Sequence, residues 1–190
     1  MPRTRPTTPQ GPNPPGPPHP HPACLDDTAL LQACHWGRGR ASGPGGQHRN
    51  KVETLVWITH LPTGIEAHAG ERRSAEENKR EAIFRLRLAL ATEYRSAPPK
   101  GDAWGDARSS LWKSRVSKEG AIACNPSHTD FPSMLAEALD NLAASGMDER
   151  KAALRLSCTP SQLVKLIKEH TPAWVAVNRV RAELGRHPLR

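Results

Sequence analysis

The chain has 190 residues, enough for one ordinary domain or two small ones. Its 27 Lys and Arg against 19 Asp and Glu give a formal charge of +8, which points to a polyanionic partner. No apolar run approaches the roughly 20 residues of a membrane span, so no membrane partner is expected. Cys24, Cys34, Cys124 and Cys158 lack the paired spacing of a disulfide framework, which fits reduced thiols in a cytoplasmic protein.

Residues 1–23 hold ten prolines and no acidic group, a composition that predicts an extended, disordered tail outside any core. The prolines oppose the amphipathic helix of a transit peptide, and no apolar stretch marks a secretory signal. DDTALLQAC, residues 26–34, predicts a short helix with Asp26 as N-cap and Leu30, Leu31 and Cys34 on one side. HWGRGR then predicts a strand, weakened by Gly37 and Gly39, that feeds the glycine-rich stretch SGPGGQHRNK. TLVWITH, residues 54–60, is β-branched and aromatic and reads as a strand with Trp57 in the core. LPTG follows, with Pro62 and Gly64 placed for a type I turn into a second strand, IEAHA.

Residues 74–94 are the most strongly specified helix. Ser74 and Glu77 make a capping box, and Ile83, Phe84, Leu86, Leu88 and Leu90 form a broad apolar stripe. Arg73, Lys79, Arg80 and Arg87 fall elsewhere and leave a basic outer face. Residues 96–130 lack a period and read as a linker with a short helix near Trp112. Further helices are expected in PSMLAEALDNLAAS, closed by Gly146, in DERKAALRL, and in PSQLVKLIKEH, where Thr159 caps and Pro160 sits at the first helical position. TPAWVAVNRVRAELG repeats that start with Thr171 as cap and ends at Gly185. The expected organisation is a tail over 1–23, an α+β domain over 24–95, a linker over 96–130 and a helical unit over 131–190.

The glycine-rich stretch is not a Walker loop, because Lys51 follows Asn50 and lacks the Gly-Lys-Ser/Thr context. The Rossmann spacing is absent as well. Cys34, His35, His48, His60 and His68 lack the short spacings of a zinc site, so no metal is expected. By residue type alone, a flexible glycine turn remains open.

Several separated motifs go further: Arg40-Ala-Ser-Gly-Pro-Gly-Gly-Gln-His, then Asn50-Lys51, Thr59-His60 with Pro62-Thr63-Gly64-Ile65, and Glu71-Arg72-Arg73-Ser74 with Asn78-Lys79 and Ala82. In this order they resemble the catalytic domain of class I peptide chain release factors over about residues 34–92. The resemblance implies a small α+β domain, a β-hairpin sheet with a packed helix, followed here by a C-terminal α-helical extension. Such a domain presents Gly45-Gly46-Gln47 on a loop to the peptidyl transferase centre of the ribosome. The implied reaction is attack by water on the ester joining a nascent peptide to P-site tRNA, with the Gln47 backbone N–H stabilising the developing oxyanion. Gly45 and Gly46 supply bend and clearance.

The same resemblance assigns Arg38, Arg40, His48, Arg49, Lys51, Arg72, Arg73, Lys79 and Arg80 to contacts with rRNA or tRNA. His48 has no catalytic part in it, and Arg49 stands where the family has a small apolar residue. No cofactor is implied, and the protein is expected to act as a monomer on the ribosome and its peptidyl-tRNA. Neither a Ser-Pro-Phe nor a Pro-x-Thr decoding element occurs in a suitable context, so the chain is similar to the stand-alone hydrolases that rescue stalled ribosomes without reading a codon.

A second reading is a nucleic-acid-binding regulator whose glycine domain is non-catalytic. Residues 148–169 resemble a helix-turn-helix, with Ser161, Gln162, Lys165 and Lys168 toward the bases. Leu163, Val164, Leu166 and Ile167 leave only a narrow polar face, which suits a plain helical bundle better.

Overall fold

Asp26 accepts the Ala29 N–H at 2.9 Å and starts α1 (Asp27–Gln32), as its residue type predicts. The computed structural model describes residues 20–40, 53–97, 106 and 108–190. After α1 the chain enters β1 (Cys34–Gly39), which pairs antiparallel with β2 (Leu55–His60); β2 pairs in turn with β3 (Glu66–Ala69), giving sheet order β1-β2-β3. Alternation decides the faces: Val56, Ile58 and His60 are buried on the side covered by α2 (Ala75–Glu93), so Trp57 and Thr59 point the other way. Trp57, expected in the core, therefore lies half-buried on the outer face, edge-on to His35 at 4.9 Å. Its indole crosses Gly37, where an added Cβ would stand 2.6 Å from Cζ2, so β1 needs a glycine at that point.

The β2–β3 turn begins one residue earlier than expected, because the His60 carbonyl accepts from Thr63 N–H at 3.3 Å and Gly64 N–H at 2.8 Å. His60 Nδ1 and Thr63 Oγ1, 2.8 Å apart, brace the turn. Burial pushes the His60 imidazole below its ordinary pKa. In α2, Ser74 accepts the Glu77 N–H at 3.4 Å, and Ala82, Ile83, Leu86, Leu90 and Ala91 are buried. Arg87 does not join the expected basic face. Its guanidinium donates to the Leu25 carbonyl and, at 2.7 Å, to Asp27 Oδ1.

The stretch expected to be a linker is built into the protein from residue 108 onward. Within α3 (Ser110–Arg115), Trp112 is 0 % exposed and donates Nε1–H to the Leu156 carbonyl at 2.8 Å. A bridge between Val116 and Ile122 continues the packing. Then come α4 (Phe131–Ala144), α5 (Glu149–Leu156), α6 (Pro160–Lys168) and α7 (Thr171–Glu183). α4 is buried on nearly all sides, with Ser133, Asp140 and Asn141 buried among its apolar residues. Gly146 at φ +63° and Gly185 at φ +68° close α4 and α7. The start of α7 differs from expectation: His170 occupies the N-cap, its carbonyl accepting the Trp174 N–H at 3.0 Å, and Thr171 is already helical.

The expected proline-rich tail ends sooner than residue 23. A single 3₁₀ turn, Pro22–Cys24, packs on α2 and α4, with Ala23 fully buried and its carbonyl accepting from Ser133 Oγ at 3.0 Å. Residues 1–19 lie outside the described residues. The fold is α+β as expected, but the sheet unit and the helical extension share one continuous core. α2 links them, packing on the sheet and also on α4.

Candidate functional site

Gly39 and Leu55 are register partners at one end of the β1–β2 pair, so residues 40–54 leave and rejoin the sheet at a single point. Just beyond, Arg40 Nε and Glu53 Oε1 stand 3.8 Å apart, both exposed. The fully buried Asn78 fixes the returning arm: its amide donates to the Thr54 carbonyl at 2.6 Å and to the Arg72 carbonyl at 2.9 Å. Asn78 Oδ1 accepts the Arg72 N–H at 2.9 Å. One side chain thus ties the base of the loop to the β3–α2 connection. Sequence reasoning gave Asn78 no role, although positions 78, 82, 86 and 90 share a helix face and an amide there is out of keeping with Ala82, Leu86 and Leu90.

The charged groups at this end are arranged in two ways. Arg85 is spent on structure: it donates to Glu71 Oε1 at 2.9 Å, to the His68 carbonyl at 3.0 Å and to Glu81 Oε1 at 2.9 Å. Arg85 beside Glu71 holds that carboxyl down at about 2. Arg72 and Arg73 are exposed on the β3–α2 connection, and Arg38 is exposed on β1. Arg80 is exposed on α2 with its Nε 3.8 Å from Glu76 Oε1, and the half-buried Lys79 holds its ammonium 4.2 Å from the centre of the Trp36 ring. Exposed pairs such as Arg40–Glu53 and Arg80–Glu76 contribute about 0–1 kcal/mol, so either arginine can exchange its carboxylate for a phosphate at little cost. The sheet end that carries the loop therefore gathers Arg40, Arg72 and Arg73, with Lys79 and Arg80 on the first turns of α2. Gly45, Gly46, Gln47, His48, Arg49 and Lys51 lie outside the described residues.

On the helical side, Ser161, Lys165 and Lys168 are exposed on α6. Gln162 is not free to approach bases, because its Oε1 accepts the Ile122 N–H at 3.3 Å.

Residues 32–119 match the family model of the RF-1 domain. The chain is similar to the chloroplastic peptide chain release factor PrfB1 of Arabidopsis thaliana, with 42% identity over 80 residues that cover 40% of this chain and 17% of that protein. It is 50% identical to peptide chain release factor 1 of Acidiphilium cryptum over 64 residues, 34% of this chain and 18% of the other. With peptide chain release factor 1 of Nitrosomonas eutropha the identity is 59% over 44 residues, 23% of this chain and 12% of the relative. The chain thus spans less than a fifth of the length of these curated relatives.

Proposed function

We propose that residues 32–119, which match the RF-1 domain model, form the catalytic domain of a class I peptide chain release factor, and that the protein hydrolyses the peptidyl-tRNA ester on the ribosome. The observation that carries the reading is the stem at Gly39 and Leu55, braced by Asn78, from which the segment containing Gly45-Gly46-Gln47 springs. A water molecule attacks the ester carbonyl, and negative charge develops on the carbonyl oxygen and on the departing ribose oxygen. The Gln47 N–H meets that charge, a donor whose loss costs about 3 kcal/mol in comparable oxyanion sites. Gly45 and Gly46 let the main chain approach without a Cβ in the way. Arg38, Arg40, His48, Arg49, Lys51, Arg72, Arg73, Lys79 and Arg80 hold the domain against RNA.

Contacts to phosphates position a protein without specifying sequence. The chain's formal charge of +8 supports anchoring of that kind, and the finer proposal is a codon-independent hydrolase that frees stalled ribosomes. The test uses ribosomes with labelled peptidyl-tRNA in the P site and a vacant A site. The protein releases the peptide without a stop codon, and Gly46→Ala lowers the release rate by roughly 100-fold or more while ribosome binding persists. Unchanged release by Gly46→Ala contradicts the mechanism, and release only with a stop codon contradicts the rescue role.

A further inference from the structure

We infer that the groove between α6 and the C-terminal residues 185–190 binds a nucleic-acid phosphodiester backbone, without reading its sequence. The inference stands on this groove and not on the glycine loop. The groove has a volume of about 990 Å³. Arg150, Lys165, Lys168, Arg186 and Arg190 line it, against the single acid Glu149. That acid is already neutralised, its Oε2 lying 2.8 Å from Arg181 Nη1. Among the described residues, ion pairs tie Arg181 and Arg186 but none ties Arg150, Lys165, Lys168 or Arg190. Lys168 sits 5.4 Å from the centre of the Trp174 ring, and a concave surface with this excess of cations concentrates field for a polyanion.

The groove is also preformed. Arg181, only 6 % exposed, donates to the carbonyls of Met147 and His187, which holds the chain end against the start of α5. Leu189 is buried, and its N–H donates to Asn178 Oδ1 at 2.7 Å. The last residues are therefore a fixed wall, so little ordering entropy opposes binding. Ser161, Lys165 and Lys168 fall on one face of α6, and seven residues of helix rise about 10 Å.

The groove offers charge rather than an amide placed for a base edge. The amide able to pair with a base edge, Gln162, is turned toward Ile122, and the groove's lysines and arginines suit phosphates.

The test measures anisotropy of labelled oligonucleotides with the full chain: a mixed-sequence single-stranded RNA, an RNA duplex and a DNA duplex. The triple variant Arg150→Gln/Lys165→Gln/Arg190→Gln changes exposed side chains only, and an unchanged melting temperature verifies its fold. Its affinity is expected to fall at least about ten-fold on the preferred probe, and the slope of log K against log salt to become shallower by about 2 to 3. Whichever probe shows the larger loss identifies RNA or DNA as the source of the backbone. Wild-type affinity and salt slope in the triple variant overturn the proposal. So does a ten-fold preference between scrambled sequences, or a loss confined to binding of anionic phospholipid vesicles. Gly46→Ala is expected to leave oligonucleotide binding intact, so failure of the release reading is distinguishable from failure here.

Discussion

Replacing Asn78 by leucine keeps its approximate size but strips partners from the Thr54 carbonyl and from both backbone polar groups of Arg72. A buried polar group left unpaired costs about 1–3 kcal/mol, so Asn78→Leu is expected to lose about 3 kcal/mol in urea denaturation. A loss below about 0.5 kcal/mol, the scale of an ordinary surface substitution, contradicts this account. Two other buried groups oppose each other in acid. His21 Nδ1 accepts the Ala23 N–H at 3.1 Å, which leaves the proton on Nε2, facing the Tyr94 carbonyl at 3.3 Å. Burial pushes His21 down to about 4, so between pH 4 and 6.5 the unfolded chain binds more protons and stability rises with pH. Asp140 behaves in the reverse sense. Burial lifts it to about 6, outweighing the Ser96 hydrogen bonds and Arg95 at 3.7 Å. The folded state then binds more protons between about pH 4 and 6, and stability falls as pH rises. The two slopes oppose each other, with His60 and His170, also lowered by burial, on the side of His21, and Glu137, raised by burial, on the side of Asp140. Asp140→Asn is expected to unmask a rise of up to about 3 kcal/mol, and His21→Gln a fall of similar size, read from denaturation at pH 4, 5 and 6.5. Flat profiles in both variants refute the assignment.

Elements that announce themselves locally were legible in the sequence. Asp26, Ser74 and Thr159 each cap a helix by bonding a backbone N–H three residues ahead, and that signal needs no knowledge of the fold. In residues 108–124 the same signal, Ser109 accepting the Trp112 N–H at 3.0 Å, marks only the short α3, and the rest is held by contacts to distant parts of the chain: Trp112 to Leu156, and Gly120 to Thr159. His21 was hidden among prolines for the same reason. Trp57 was misplaced although period-two alternation with Val56 and Ile58 already put it on the opposite face. The Gly-Gly-Gln segment proposed as the site is suggested only by family resemblance, since glycine composition alone fits any turn, and it lies outside the described residues. Gly120 supplies the test at this scale. It sits at φ +79°, its carbonyl accepts the Thr159 N–H at 3.2 Å, and an added Cβ would lie 3.0 Å from Thr159 N and 3.1 Å from Cys158 Cα. Gly120→Ala is expected to cost about 2 kcal/mol and lower the melting temperature by about 5 °C, since both backbone strain and a close approach resist it. An unchanged melting temperature shows that this turn does not support the start of α6.

For the molecule as a whole, the decisive feature is that α2 belongs to two packing units. Its buried residues join a core that runs from Val56 and Ile58 in the sheet through Met134 and Leu142 in α4 to Leu163 and Ile167 in α6. A shared core of this kind predicts a single cooperative unfolding transition, with calorimetric and van't Hoff enthalpies equal. Two resolved transitions contradict it and restore the picture of separate domains joined by a spacer. The pairing of Gly39 with Leu55 has a different consequence. Strand alternation is indifferent to how many residues intervene, so natural variation is free to lengthen that span without disturbing the platform beneath it. Every two residues inserted there extend its maximum projection by up to about 3.5 Å. Deleting one residue inside β2 instead turns the side chains on one side of the deletion to the opposite face of the sheet. Reach and foundation are thus under separate genetic control.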